Sequence, residues 1–325
     1  MPTLDIVIVN WNAGDLLRQC IASIPAALTG GIALERVVVV DNASHDGSAD
    51  GLPADGLPLT VLRNAANRGF AAACNQGAAG SRADLLLFLN PDTRLSAASL
   101  APAVAFLADP ANAGVGALGA RLVDEQGRTQ RSCAREPTPG RLVAQSLGLD
   151  RVAPRLFPPH FMTEWDHADT RDVDQVMGAF LMIRRALFEA VGRFDERYFV
   201  YFDDADLCVG VRRAGHRVVH FAGAEAYHRG CGTTDRVKDV RLFYVQRSRL
   251  LYVAKHHGAA AALAVLAVAL LVEPAVRLAL AASRRSAADA RMVLSGTRML
   301  WGDLASVLPK LLTGRVDRDA VRPSA

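Results

Sequence analysis

The sequence predicts an α/β fold built on a mostly parallel sheet flanked by helices. Three observations predict it. Short β-branched or leucine-rich runs alternate with amphipathic stretches of helical period through the first ninety residues. A polar residue stands at or just behind the end of four such runs: Asn10, Asp41, Asn64 and Asn90. The 325 residues, 51% hydrophobic and 22% charged, suffice for a large core and exclude wholesale disorder. In parallel sheets the ligand crevice lies beyond the carboxyl ends of the strands, so the four polar residues outline a site.

The elements follow in order. Residues 4–9 read as a buried strand, and Leu16, Leu17, Cys20, Ile21 and Ile24 mark a helix stripe behind it. Residues 37–40 form a second strand ending in a polar turn through Ser48. A third strand over 59–62, a small-residue helix over 70–79 and a fourth strand over 85–89 complete the βαβ series. Residues 114–183 are more irregular, with Pro-rich loops at 136–140 and 154–159 and an apolar strand at 176–183. Short helices at 186–191 and 205–213, a strand at 217–221 and a helix from 240 to 257 follow.

Several chemistries are excluded or disfavoured. Gly114-Val115-Gly116-Ala117-Leu118-Gly119 matches a dinucleotide fingerprint literally, but no strand precedes it, and it reads better as a Gly-rich strand. The five cysteines (Cys20, Cys74, Cys133, Cys208, Cys231) include no C-x-x-C pair, which argues for scattered reduced thiols and against a disulfide framework or zinc site. The opening MPTLDIVIVNWN resembles a first strand and carries no signal-peptide pattern, so the Asn42-Ala43-Ser44 sequon is expected to be silent.

Each candidate site residue carries two readings. Asp41 at the tip of a four-valine strand suits a nucleobase N–H or ribose hydroxyl, and equally a turn or cap. Trp11 suits base stacking or core packing. Asn67-Arg68-Gly69 opens a helix, where the N-terminus and Arg68 suit a phosphate, or simply start the helix. Asp92 in Asn90-Pro91-Asp92-Thr93 fits a ligand of a hard divalent cation, or a cap. Asp203, Asp204 and Asp206 open a helix beside aromatic residues; they complement its dipole, or raise one another's pKa toward that of a general base. His228, behind another short strand, suits a metal or a phosphate.

Order and spacing add what single residues lack. Val-Asn-Trp-Asn (9–12), Val-Asp-Asn-Ala-Ser-x-Asp-Gly-Ser (40–48), Asn-x-Gly-Phe-Ala-x-x-x-Asn-x-Gly (67–77), Leu-Asn-Pro-Asp-Thr (89–93), Gly-Ala-Phe-Leu-Met-Ile-Arg-Arg (178–185) and Gly-Arg-Phe-Asp-Glu-x-Tyr-Phe-x-Tyr-x-Asp-Asp-x-Asp-Leu (192–207) together resemble the family 2 glycosyltransferases. Within that family the series is most similar to the rhamnosyltransferase-like branch of bacterial cell-surface polysaccharide synthesis, over about residues 3–257.

The resemblance implies a GT-A fold and an inverting, metal-dependent glycosyl transfer. It implies that Val9, Asn10, Trp11, Asn12, Asp41, Asn42, Asn67, Arg68, Gly69, Asn75, Asn90 and Asp92 surround a nucleotide-sugar. Asp92 and His228 would hold Mg²⁺ or Mn²⁺, Asp204 would be the catalytic base, and Asp203 would orient the site. Two departures stand out. The D-x-D motif is reduced to Asn90-Pro91-Asp92, and the Glu-Asp pair is Asp203-Asp204. The implied donor is dTDP-L-rhamnose, with galactofuranose, glucose or N-acetylglucosamine donors as alternatives. The implied acceptor is polyprenyl-linked or a growing polysaccharide. A catalytically silent, nucleotide-sugar-binding scaffold is the reading from another class.

The tail is distinct. Residues 251–325 hold ten Lys/Arg against five Asp/Glu, which accounts for a pI of 8.9 on an otherwise near-neutral chain. Residues 258–272 are uncharged and almost wholly Ala, Leu and Val, and Glu273-Pro274 and Arg277 interrupt them. Three readings stand: a core helix, a helix lying in a bilayer interface, or a tilted span. Arg284, Arg285, Arg291, Arg298, Lys310 and Arg315 lie among apolar residues and Trp301, a pattern suited to an anionic leaflet. No nucleic-acid motif accompanies them. The expectation is therefore a catalytic domain over 1–257 and a membrane-associated helical extension over 258–325, in a cytoplasmic protein held peripherally on the inner face of the membrane.

Overall fold

The structure, a computed structural model, describes residues 2–54, 56–230 and 237–313. Cys231 and Arg315, singled out above, lie outside the described residues. In chain order the elements are β1 (Thr3–Asn10), α1 (Asp15–Ala27), β2 (Ala33–Asp41), β3 (Leu59–Arg63), α2 (Phe70–Ala78), β4 (Leu85–Leu89), β5 (Thr93–Arg94) and α3 (Leu100–Ala108). Then come β6 (Val115–Val123), β7 (Cys133–Ala134), α4 (Pro139–Ser146), α5 (Leu149–Val152), β8 (Arg171–Asp172), β9 (Gln175–Val176), β10 (Phe180–Arg184) and α6 (Arg185–Ala190). The chain continues through α7 (Asp203–Arg213), β11 (Arg217–His228), α8 (Lys238–His257), α9 (Ala259–Ala267), a π-helical turn, α10 (Glu273–Ser283), α11 (Ala287–Gly302) and α12 (Leu304–Thr313).

Two compact units form, and they are not sequential blocks. Unit 1 comprises residues 1–135, 161–196 and 203–233; unit 2 comprises 136–160, 197–202 and 234–325. Helix α8, expected with the catalytic part, therefore clusters with α9–α12 and with α4–α5.

Unit 1 is a sheet in the order β3-β2-β1-β4-β10-β6-β11-β5, with β8 added to β11. The first four strands are parallel, as alternating strands and helices require. The rest is mixed: β10 runs antiparallel to both β4 and β6, and β11 runs parallel to β6. Strand alternation explains the unbroken apolar runs. Leu4, Ile6 and Ile8 bury into one core cluster with α1 and α3, while Val7 and Val9 bury into the other with α2. Helix α2 lies so close to β1 that a Cβ on Gly77 would fall 2.4 Å from Val7 Cγ1.

The Gly-rich segment is β6, as its apolar pattern predicts. A Cβ at Gly116 would sit 2.4 Å from Leu187 Cδ2, and one at Gly119 would sit 2.7 Å from Val176 Cβ. These glycines make room for packed side chains. Three expectations shift. The strand expected at 176–183 breaks at Met177–Ala179, because the Gly178 N–H turns to a carboxylate. The strand expected at 217–221 continues past a register shift to His228. The Pro-rich 136–140 segment starts a helix: Thr138 caps α4 and Pro139 occupies its first turn, where a missing N–H costs nothing.

Candidate active site

The parallel register sets Asn10 opposite Asp41 at the carboxyl edge of β1 and β2. The Asn10 Nδ2 donates to Asp41 Oδ1 at 2.8 Å, to Ser48 Oγ at 2.8 Å and to Ser44 Oγ at 3.1 Å. Ser44 Oγ also accepts from the Asn12 backbone N–H, and Asn12 Oδ1 accepts from the His45 N–H. Asn12 and Ala43 both adopt left-handed backbone conformations, so this turn is held by side chains in a costly geometry. Asp41 is buried apart from 4% of its surface, and Trp11, directly after Asn10, is half-buried.

Four expected ligand contacts belong to the scaffold. Val9 is core, Asn10 is fully buried, and Asn42 is engaged with the Gly69 carbonyl, the Asn64 amide and the Arg68 N–H. Asn75 donates to the Phe194 carbonyl and Glu196 Oε1, and accepts from the Phe194 N–H. The side-chain polar atoms of Asn42 and Asn75 are already matched within the fold, whereas Asn10 Oδ1 is buried without a hydrogen-bond partner. Asn67 Oδ1 accepts from the Gly69 N–H ahead of α2, while Arg68 extends into solvent.

Beyond β4, Asn90 donates its backbone N–H to the Ala179 carbonyl, and its own carbonyl accepts from Thr93. The resulting turn presents Asp92. Strand β11 pairs Thr93 with His228, and the Asp92 carbonyl accepts from the Arg229 N–H. Asp92 Oδ1 and His228 Nε2 thus lie 3.4 Å apart, both nearly buried. Gln130 clamps the histidine: its Oε1 lies 3.1 Å from His228 Nδ1, and its Nε2 donates to the His228 carbonyl. With Nδ1 carrying the proton toward Gln130, Nε2 keeps its lone pair toward Asp92. An oxygen and an imidazole nitrogen at that separation can both reach one divalent cation with bonds near ~2.1 Å, so the pair fits Mn²⁺ or Mg²⁺. Among the described residues no group of three or more His, Cys, Asp or Glu converges, so further ligands would come from a diphosphate and water.

Helix α7 supplies the acids. Tyr201 and Phe202 enter it in the left-handed region, unusual for aromatic residues. Asp204 accepts from the Gly178 N–H at 3.2 Å, Gln175 Nε2 at 3.0 Å and the Ala205 N–H at 2.8 Å. Burial raises its pKa from the ordinary aspartate value, and these donors restrain the rise. Asp203 is pushed up further, by burial first and then by the Asp204 and Asp206 charges. Burial and the neighbouring charges work against ionising Asp203, while the three donors on Asp204 favour its charged form. Since Gly178 holds Asp204 and the next residue, Ala179, holds Asn90, Asp204 and the turn bearing Asp92 are drawn to one edge of the sheet.

Ser44 was expected to hold the Asp41 turn, whereas Gln130, Gln175 and Ser48 were not singled out in the sequence. Ser44, Ser48 and Gly178 fall inside motifs already quoted, whereas Gln130 and Gln175 act across 98 and 29 positions and leave no local signal. The four described cysteines are buried and free; burial pushes Cys20, Cys133 and Cys208 up to about 12, which makes them inert thiols.

Residues 5–192 match the family described as Glycosyl transferase family 2. The N-acetylglucosaminyl-diphospho-decaprenol L-rhamnosyltransferase of Mycobacterium tuberculosis is 28% identical over 273 residues, spanning 78% of this chain and 85% of that protein. Among solved structures, the mannosyltransferase PcManGT of Pyrobaculum calidifontis, in complex with GDP-Man and Mn²⁺, aligns with a TM-score of 0.53 at 20% identity. That alignment covers 97% of this chain and 86% of the other. TarS 1-349 of S. aureus with UDP-GlcNAc aligns with a TM-score of 0.52 at 14% identity, covering 91% of this chain and 92% of that one. The fold is GT-A.

Proposed function

The chain belongs to glycosyl transferase family 2 and is a glycosyltransferase, and from that premise we propose that it moves L-rhamnose from dTDP-L-rhamnose to a hydroxyl of a polyprenyl-linked or growing polysaccharide acceptor, with inversion. The observation that carries the reading is the juxtaposition, through Gly178 and Ala179, of the Asp204 carboxylate with the turn bearing Asp92. The sugar and the lipid-linked acceptor are supported by the printed name of the M. tuberculosis relative.

Asp41, fixed by Asn10, accepts hydrogen bonds from the nucleoside. Asp92 and His228 would hold a divalent cation, which when bound offsets charge on the departing diphosphate as a Lewis acid. Asp204 takes the proton of the acceptor hydroxyl as that oxygen bonds to the anomeric carbon. The bond from that carbon to the diphosphate oxygen breaks on the opposite face, and the leaving group departs with the electron pair. Asp203, buried beside it, orients the site, and the donors from Gly178, Gln175 and Ala205 favour the charged form of Asp204.

The reading places the enzyme on the cytoplasmic face of the membrane, with unit 2 toward the lipid. Residues Ala259–Ser283 are long and apolar enough to cross a bilayer. Glu273 within them is 1% exposed and paired to Arg249, which favours a helix lying against the interface over a span. Leu271 and Leu280 remain exposed on the same stretch.

The test is nucleoside diphosphate release from dTDP-L-rhamnose, UDP-galactofuranose, UDP-glucose and UDP-N-acetylglucosamine, with and without Mn²⁺. Release from dTDP-L-rhamnose that exceeds the others and needs the cation is the expected result. Faster turnover of another donor overturns the sugar assignment, and no release from any donor supports a silent scaffold.

A further inference from the structure

Charge separates between the two units. Unit 2 carries 19 Lys/Arg against 9 Asp/Glu, a net +10, and unit 1 carries 18 against 24, a net −6. The whole positive excess therefore resides in unit 2, including the segment 136–160 that sequence reading assigned to the catalytic part. That segment is also where apolar side chains are most exposed. Val152 is 83% exposed and Leu156 78%, against at most 67% for any other described large hydrophobic residue. Arg151 and Arg155 immediately precede them, and both are exposed. Helix α5 is a single turn entered through a left-handed Gly148, and the Leu156 and Phe157 N–H groups return to the Ala153 carbonyl, so both arginine–aliphatic pairs lie in one short helix–turn hairpin.

Beneath the hairpin, within the same unit, is a cavity of about 300 Å³ with no polar side chain in its lining. Val143, Leu149 and Phe157 form one wall, and Ala261, Ala264 and Val265 of α9 form the other. A cavity of this size reaches the lower end of small-molecule pockets (~300–1,000 Å³), but it has none of the polar groups that fix the orientation of a polar ligand. Only a hydrocarbon suits it. Exposed aliphatic tips, adjoining arginines and an apolar cavity lined by Leu149 and Phe157 of the same segment match one partner, a bilayer bearing anionic headgroups.

We propose that residues 147–157 are a membrane-inserting hairpin, with Val152 and Leu156 entering the acyl region of an anionic bilayer, Arg151 and Arg155 at the headgroups, and one lipid chain in the cavity against α9. The proposal rests on the membrane-facing reading of unit 2 and extends it to a segment over a hundred residues upstream of the tail. Membrane attachment is then two-pronged, which is what a marginal single anchor needs.

The experiment is flotation of the full chain with vesicles of neutral phospholipid alone or with about a third anionic phospholipid. Val152→Ser/Leu156→Ser removes the apolar tips without adding charge and touches none of the residues assigned to the sugar-transfer site, so donor hydrolysis serves as its folding control. Its partitioning onto anionic vesicles falls at least tenfold; Arg151→Gln/Arg155→Gln loses about fivefold per arginine on those vesicles and little on neutral ones. A Leu156→Trp variant reports insertion directly, by quenching from brominated acyl chains.

Wild-type flotation with an unchanged Val152→Ser/Leu156→Ser variant overturns the hairpin and leaves the tail as the anchor. No wild-type flotation on any vesicle overturns both readings. Displacement from vesicles by a polynucleotide would assign the arginines to nucleic acid, and a dimer broken by the serine variant would assign the patch to a second copy; either overturns the proposal.

Discussion

Glu273 is the residue on which the course of α9 and α10 turns, and its removal tests the reading most sharply. Its Oε2 accepts from Arg249 Nη2 at 2.8 Å and from Ser146 Oγ at 2.9 Å, and its Oε1 lies 2.7 Å from Arg277 Nη2. Arg249 Nη1 donates to Ser146 in turn. Burial alone would raise this carboxyl, but the two arginines and their hydrogen bonds bring it from 4.5 down to about 2. A carboxylate depressed in the folded state stabilises above its unfolded pKa. That stability is lost as pH falls from about 4.5 toward about 2. The shift corresponds to about 3 kcal/mol, and the side-chain exposures of 2% for Glu273 and 6% for Arg249 leave little for solvent to screen. Arg277, 43% exposed, contributes the smaller share. Glu273→Gln should therefore cost about 3–5 kcal/mol at pH 7, because Arg249 stays buried without a countercharge. Urea unfolding of both proteins at pH 7 and near pH 3 reads it: the gap between them should narrow at the lower pH. A cost below about 1 kcal/mol at pH 7, or a gap independent of pH, would refute a buried ion network and reopen a membrane-spanning α9–α10. Replacing the pair together, as Glu273→Leu/Arg249→Met, should recover most of the loss.

Three further outcomes are expected. Asp204→Asn keeps sugar-donor affinity by calorimetry and loses about 10²–10⁴-fold in turnover; in the wild type kcat/KM falls as pH drops through a midpoint above the ordinary 3.8, since the base must be ionised and its pKa is raised. Gln130→Leu frees the His228 tautomer, so the Mn²⁺ concentration for half-maximal activity should rise about 10–100-fold while kcat at saturating metal changes little. Gly116→Ala places a methyl 2.4 Å from Leu187 Cδ2 and 2.8 Å from His216 Cβ, and a calorimetric scan should register about 1–3 kcal/mol of destabilisation, with an unchanged unfolding temperature contradicting the packing reason given for β6.

What the sequence made legible follows from range. β1, β2, α2 and β4 each carry their period and their ending within ten residues, and their bounds agree with the reading to within a few positions. Asp41 and Asp92 stood out for the same reason, since each directly closes or follows a strand. The failures are long-range. Asn75 looked like a ligand residue because it sits in a polar motif, yet its partners are Phe194 and Glu196, 119 and 121 positions away. Helix α4 was hidden because Pro139 signals a loop unless Thr138 is recognised as its cap. The unit boundary was invisible because 136–160 returns to α8 and α9 through space, with no change of composition to mark it.

The least legible strand extension is also the one the chemistry needs. β11 passes its register shift because Glu225 is held there, by Ala98 and Ser99 on the backbone and by Arg121 through its carboxylate. Only then does the strand reach Thr93 and set His228 beside Asp92. That placement answers the missing carboxylate at Asn90. A second aspartate would add negative charge directly against a diphosphate, whereas on the proposed reading an imidazole clamped by Gln130 would supply a ligand atom without adding a carboxylate. The site is consequently less negative than a two-carboxylate one. It should bind cation weakly by itself and tightly with the diphosphate, whose oxygens complete the coordination. Asn90 meanwhile shapes the turn, with its N–H on Ala179 and its carbonyl on Thr93. On the proposed reading the reduced motif is a redistribution of roles: Asn90 fixes the turn, Asp92 and His228 would form the ligand pair, and the register of β11 joins them.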